Sequence, residues 1–495
     1  MLLLIISALI IAIYCLLKRP YSYWKERNIK QGNPWIFFGD SWRMLFRKMN
    51  IAETVSYYYQ LFPNVRYYGI YRFSNPVLVV RDPDLIRRIT VKDFGYFVDR
   101  VSITNSKADP IFARNLISLK GDEWRQMRST LTSSFTSSKM KLLFNLISDA
   151  ALNFTKHFSN TASVDVEVKD AFTRFTIDVI ATTSFGVEVN SLEHPENEFF
   201  KMGKEITDFT LTNVFKMLLF QFCPKVYELF HFTIFRKEVN EFFTSLVNET
   251  IKMRKEKDIY RPDMIQNLME ARGERNSVNE ITDQDITAQA LIFFFAGFDS
   301  VSSLMTFMAY ELAINPEVQE KLRKEILETN EKCSGNISYE EITTMKYMDM
   351  VVFEALRKWP PFVLNGRECT KDYKIDAITP DERTLYIPKG MGIQIPTYAI
   401  HHDPNYYPEP EKFIPERFRI ENYRNEYIFL SFGKGPRNCL GSRFALLEIK
   451  TLFFHLLKEL RLVVSIKTEM PVKLSKKFSV NIRPENGLWL RIEKI

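Results

Sequence analysis

The chain has 495 residues, of which 46% are apolar and 26% charged, which excludes a disordered, collagen-like or many-span membrane protein. Its 67 Lys and Arg against 60 Asp and Glu leave a net charge of +7, mild for this length, and no basic run is long enough to suggest nucleic acid. Five cysteines (Cys15, Cys223, Cys333, Cys369 and Cys439) are scattered without a CxxC pair or a His at zinc spacing. Neither a disulfide framework nor a structural zinc site is expected, and a reducing compartment fits.

Residues 1–17 are apolar or neutral, with Ser7 the one clearly polar side chain, and Lys18, Arg19 and Pro20 follow at once. As a helix they would reach about 25 Å, enough for a thin bilayer. The charge lies after the apolar run, which favours an uncleaved anchor over a signal peptide and leaves the body in the cytosol. Residues 18–39, basic and rich in Pro and Gly, read as a linker, and 40–495 as one large domain.

Val65–Phe73 and Pro76–Val80, around Ser74-Asn75, predict a β-hairpin. Helical patterns dominate from Gly121 to about Lys358. The longest has Thr282 as N-cap with Asp285 three residues on and runs to Asn315 before Pro316. Its middle, Leu291–Phe298, is apolar on every face and so must be buried. Short strands return between Tyr373 and Thr397, a helix covers Ser442–Leu457, and strands follow from Leu462. The fold class is mainly α with small β-sheets.

Phe432-Gly-Lys-Gly-Pro-Arg-Asn-Cys-Leu-Gly441 carries the strongest chemical signal. Two glycines permit a tight loop, and Cys439 precedes a helix start whose N–H groups, with Arg437 nearby, favour a thiolate. Such a thiolate is a nucleophile or an axial ligand of haem iron; a buried inert cysteine is the plainer reading. No motif ties a histidine base to it. His401-His402, being adjacent, diverge on any regular element and do not suggest a metal site.

Phe432, Gly435, Arg437, Cys439 and Gly441 together resemble the haem-binding loop of the cytochrome P-450 superfamily. Glu354-Ala-Leu-Arg357, Pro415-Glu-Arg-Phe418, Ala296-Gly-Phe-Asp299-Ser300 and Trp124-Arg125-Gln-Met-Arg128 resemble its other segments, in the family's order. In detail the chain is similar to insect microsomal members of the ninth family, which resemble broad-range detoxification enzymes. The resemblance implies a P-450 fold with a long central helix over haem b, Cys439 as the iron's axial ligand, and Trp124, Arg128, Arg367 and Arg437 on the propionates. It also implies a structural trio of Glu354, Arg357 and Arg417. On the central helix, Ala296 and Gly297 would clear space for the cofactor, and Asp299 and Ser300 would carry protons, with Ser standing where Thr is usual. Phe295, with Ile292, Val363 and the Val101–Ile117 loop, would face an apolar substrate.

The implied reaction is insertion of one oxygen atom of O2 into a small lipophilic compound, with electrons from NADPH through a separate reductase. That reductase would dock near Arg125, Lys434 and Lys450, with cytochrome b5 as a further partner, on the endoplasmic reticulum membrane. Val214–Phe235, with seven aromatic residues and three formal charges, would dip into the lipid.

Overall fold

The computed structural model describes residues 6, 14, 17–207, 211–261, 263–272, 281–380, 382–419 and 426–495. The expected anchor, residues 1–17, lies outside these apart from Ile6, Tyr14 and Leu17.

The hairpin forms as β1 (Tyr67–Arg72) and β2 (Asn75–Val80). Helices α1 (Gly121–Thr132) and α2 (Ser137–Ser159) follow, then β3 (Ser163–Glu167) and α3 (Val168–Ile180). The central helix α4 runs Asp283–Ile314, α5 Lys346–Lys358, and four short strands come next: β4 (Asn365–Glu368), β5 (Tyr373–Ile375), β6 (Leu385–Ile387) and β7 (Gly392–Ile395). Helix α6 spans Ser442–Glu459, and β8 (Leu460–Val464) and β9 (Trp489–Lys494) close the chain. The sheets are small: β1-β2-β7-β4, β3-β9-β8 and β5-β6. Within the first, β2 runs parallel to β7 and Arg367 on β4 pairs with Ile393 on β7, which fixes the side from which Arg367 enters the site.

Local chemistry sets the ends of α4. Thr282 accepts from Asp285 N–H and Asp285 accepts from Thr282 N–H at 2.8 Å, a reciprocal cap, and Pro316 stops the helix. Among the described residues α4 is long and apolar enough to cross a membrane, but 78% of its apolar window is buried in protein. It is the core, packed most extensively on α3.

The segment read as a linker belongs to the folded body. Tyr21 and Trp24 are buried against the first sheet, Trp24 Nε1 donates to Ile70 O at 3.1 Å, and Gln31 bridges Gly69. A β-carbon on Gly69 would lie 2.2 Å from the Trp24 ring, so the missing side chain is what seats the indole. Sequence gave no hint because the contact pairs residues over 40 positions apart.

Candidate active site

The Phe432–Gly441 loop closes on itself. Cys439 N–H donates to Phe432 O at 2.8 Å and Asn438 N–H to Gly435 O at 3.0 Å. Gly435 has φ +73°, and a β-carbon there would stand 1.8 Å from Thr90 O, so only glycine fits. Cys439 is accessible, yet enough protein lies around its sulfur to desolvate it. Burial pushes its thiol pKa up, while Gly441 N–H, Arg128 and Arg100 pull it down. The expected help from a backbone N–H is present in Gly441, and the cations beside the sulfur are Arg128 and Arg100 rather than Arg437.

Arg437 points elsewhere. Nε donates to Val98 O at 2.8 Å, Nη1 to Leu116 O at 3.2 Å and Nη2 to Leu119 O at 2.7 Å, and its guanidinium lies 4.0 Å from the centroid of the buried Trp124 ring. Arg128 donates to Asn438 O and Oδ1 at 3.0 and 2.8 Å. Arg367 donates to Gly366 O at 2.8 Å and Lys434 O at 3.2 Å, while its buried Nε has no partner. The structure adds Arg100, which reaches Arg437 O at 3.4 Å; a single arginine in a loop carried no sequence signal. Burial, with the repulsion of Arg100, holds Arg367 and Arg437 down to about 9.

Among the described residues, Asp99 is the one carboxylate within 4.0 Å of these four guanidiniums, 3.7 Å from Arg437. Four desolvated cations facing one anion need further negative charge. That excess and the unpartnered Arg367 Nε, beside a thiol able to ligate a metal, fit a flat cofactor with two carboxylates, as haem has.

Along Ile286–Ala313 of α4, only Phe293, Ala296, Gly297 and Ser300 are not fully buried, and their i, i+3, i+4, i+7 spacing is one helix face. Phe135 joins this face to the cysteine loop: its ring is 5.8 Å from that of Phe293 and 4.0 Å from a β-carbon built on Gly441. Ala296 therefore leaves space on the accessible face. Gly297 lies on the same face and also packs closely on α3, where a β-carbon would meet the tip of the Ile180 side chain at 2.6 Å. Ser300 donates to Ala296 O at 2.7 Å, which leaves its oxygen free to accept.

Asp299 turns to another face. Its Oδ1 accepts from Lys169 at 3.2 Å and Arg483 at 2.8 Å, and Oδ2 from Asn481 at 2.7 Å. Burial alone would raise its pKa, but Lys169, Arg483 and Asn481 hold it at about 2. The structure therefore does not bring Asp299 and Ser300 into contact as a donor pair; Lys169, Asn481 and Arg483 were invisible from sequence because they come from α3 and the C-terminal segment.

Phe295 lies edge-on to Phe235, centroids 5.6 Å apart, and joins Ile292 and Val363 in the main apolar cluster. The two ends of the Val101–Ile117 loop are held differently. Thr104 Oγ1 meets Tyr227 OH at 3.2 Å, while Leu116 N–H donates to the buried Gln289 of α4 at 2.9 Å.

Glu354, Arg357 and Arg417 do converge. Arg357 uses all five N–H donors: two on Glu354 at 2.9 and 2.8 Å and the rest on His401 O, Pro410 O and Lys412 O. Arg417 Nε reaches Glu354 Oε1 at 3.3 Å. His401 shares this network; its Nε2 accepts from Leu430 N–H at 2.9 Å, so both His401 and His402, which bonds Tyr398 O, serve structure.

Lys450 corrects another expectation. It is buried, ion-paired with Asp349 and bonded to Ile342 O and Thr343 O, so it cannot present a docking charge. Arg125 is exposed and Lys434 half-buried. Within Val214–Phe235, Phe215, Phe222, Leu229 and Phe230 are exposed, whereas Tyr227 and Phe235 are buried. Cavities of about 510 Å³ beside His157 and about 230 Å³ beside Lys216 are lined by neither Cys439 nor the arginine cluster.

The family profile described as Cytochrome P450 matches residues 30–491. Cytochrome P450 9e2 of Blattella germanica is 41% identical over 99% of this chain and 97% of its own length. From Drosophila melanogaster, Probable cytochrome P450 9f2 is 38% identical over 95% of each chain. Probable cytochrome P450 6a13 is also 38% identical, over 97% of this chain and 96% of its own.

Proposed function

Since the chain belongs to the cytochrome P450 family, whose members are haem monooxygenases, we propose that it inserts one oxygen atom of O2 into small lipophilic compounds, foreign ones such as insecticides or plant products and endogenous lipids. The observation that carries this reading is an accessible Cys439 thiol with Arg128 and Arg100 beside it and Arg367 and Arg437 next to Arg100.

Haem, when bound, supplies the iron that activates dioxygen. Cys439 would be its thiolate ligand, with Gly441 N–H moderating the sulfur's charge. The four arginines and Trp124 would hold the propionates. Ala296 keeps the adjacent helix face free of bulk, and Ser300, with an oxygen free to accept, holds solvent protons there. Phe293 on the open face, backed by the buried Phe295 and Ile292, would exclude water and select lipophilic substrates by burial.

The chain holds no dinucleotide or flavin motif, which supports electrons arriving from NADPH through a separate reductase, with cytochrome b5 as a second donor. Exposed Arg125 and the half-buried Lys434 support a basic docking face. The exposed Phe215, Phe222, Leu229 and Phe230 support placement on a membrane, and the apolar 1–17 run supports an anchor in the endoplasmic reticulum with the catalytic body in the cytosol.

The test supplies purified protein with reductase, NADPH and ¹⁸O₂ over a panel of lipophilic compounds. Product should carry one ¹⁸O atom and vanish without reductase. Rearrangement of a hydroperoxide with no reductase present would overturn the reading in favour of an isomerase.

A further inference from the structure

The open face of α4 ends abruptly. Asp285, Gln289, Phe293, Ala296, Gly297 and Ser300 fall within about 80° of one another around the helix axis, at 3.6 residues per turn. From Phe293 onward these positions are partly exposed. Gln289, one turn earlier on the same face, is fully buried, because residues 114–116 cross the helix there. Gln289 Nε2 donates to Arg114 O at 2.8 Å and its Oε1 accepts from Leu116 N–H at 2.9 Å. A further turn back, Arg114 Nη1 donates to Asp285 Oδ1 at 2.9 Å. The crossing segment is thus clasped at two levels of α4 and stops short of Phe293.

The segment is stiff. Asn115 Oδ1 accepts from Ile117 N–H and Ser118 N–H, both at 2.9 Å, and Leu119 N–H donates to Asn115 O at 2.9 Å, so residues 114–119 move as one turn. Its other side is held by the cysteine loop, where Arg437 donates to Leu116 O at 3.2 Å and to Leu119 O at 2.7 Å. The turn therefore bridges α4 and the cysteine loop. A buried primary amide is costly unless its donor and acceptor are both matched, and a leucine of similar size would fill the space at less cost. What the amide of Gln289 adds is a donor and an acceptor aimed at main-chain groups two residues apart. It fixes where the turn lies, whatever side chains the turn carries.

We propose that Gln289 is a positioning residue that determines specificity: by clasping residues 114–119 across α4 it sets the end wall of the substrate pocket, and with it the length of apolar compound that fits along Phe293 and Ala296. Ile117, exposed on the same turn, gives that wall an apolar surface. Because the turn is stiff, the wall yields only when both Gln289 bonds and the Arg114–Asp285 pair give way together. That the wall meets substrate rests on the monooxygenase reading; the clasp itself does not.

The experiment titrates full-length, haem-loaded protein with 1-alkylimidazoles of increasing chain length, whose ring nitrogen ligates iron, and reads the spectral shift. In the wild type each methylene should tighten binding about fourfold until the chain meets the wall, where the gain stops. In Gln289→Leu the gain should continue, so that the first homologue beyond the wild-type limit binds fourfold or more tighter than it does to the wild type. Hydrogen exchange over residues 114–119 should be about fivefold faster, the factor of one lost hydrogen bond. Arg114→Ala, at a half-exposed side chain, removes only the outer clasp and should move the limit the same way even if Gln289→Leu fails to retain haem. Gln319 is the control. On the helix Pro316–Lys332 it is equally buried and bonds Leu312 O, Leu462 O and Leu462 N–H at 3.0, 2.9 and 2.9 Å. Gln319→Leu should lower the thermal midpoint and leave the chain-length limit in place. No limit in the wild type, the same limit in Gln289→Leu and Arg114→Ala, or an equal shift in Gln319→Leu overturns the proposal. A wild type that shows the limit yet gives no reductase-dependent product overturns the monooxygenase reading instead.

Discussion

At the residue scale two positions in the cysteine loop admit no substitute, for different reasons. Cys439 has a thiol whose pKa burial raises, so a metal ion is what would ionise it; an alcohol there would stay protonated and donate weakly. Cys439→Ser should lose haem or the thiolate signature in the reduced carbon monoxide spectrum, and an unchanged Soret band would rule out the ligand assignment. Gly435 is required by space. A methyl group would meet the Thr90 carbonyl at 1.8 Å, a backbone atom that cannot swing aside, at φ +73°. Gly435→Ala should cost about 2–4 kcal/mol, read as a lower thermal midpoint and poor haem retention, whereas Gly121→Ala, with nothing within 4 Å of its β-carbon, should pay only for its left-handed backbone. Both glycines take a left-handed backbone; the different costs come from what lies opposite.

At the element scale, buried charge decides how α5 and α6 sit. Glu354 and Arg357 on α5 are wholly buried, and the pair is stable because each polar atom is matched. Glu354→Ala leaves Arg357 Nε and Nη2 short of acceptors and should cost about 3–5 kcal/mol, measured by urea unfolding of the haem-loaded protein. Glu448 on α6 is the opposite case. It is fully buried, both carboxyl oxygens lack partners, and burial raises its pKa well above the ordinary value. The folded state then keeps a proton that the unfolded chain releases above about pH 4.5. The stability linked to Glu448 is therefore complete below that pH and is lost as pH rises toward the folded-state pKa. Glu448→Gln keeps the shape and removes the titration, so it should flatten the loss of stability between pH 5 and 8 by up to about 1.4 kcal/mol per pH unit. Equal slopes for the two proteins in denaturant titrations would show that Glu448 has a partner after all.

At the scale of the whole molecule, the N-terminal segment and the 214–235 region share a surface. Phe37 and Phe73 both meet Phe222 edge-on, at 6.3 and 6.1 Å, and Trp35, Phe37, Phe46, Phe215, Leu229 and Phe230 are exposed. An apolar surface of this extent on one side suits a bilayer, each inserted ring being worth about 2 kcal/mol. The chain without residues 1–17 should still float with vesicles, and Leu229→Ser/Phe230→Ser in that background should release most of it. Salt-independent loss of all binding on truncation alone would show that the patch does not reach lipid.

Sequence alone determined what depends on near neighbours along the chain. The Thr282–Asp285 cap, the extent of α4, the 65–80 hairpin and the Phe432–Gly441 turn were legible because capping, periodicity and glycine's backbone freedom act within a few residues. The family was legible too, through the motif around Cys439. Only the tertiary structure decided which charges meet and which faces open. Asp299 finds Lys169 and Arg483 across 130 and 184 positions, Lys450 is withdrawn into an ion pair, Arg100 joins the arginine cluster, and residues 19–39 pack into the body. The reason is physical: burial and ion pairing are set by distances in space, and sequence separation carries no record of them until the chain has folded.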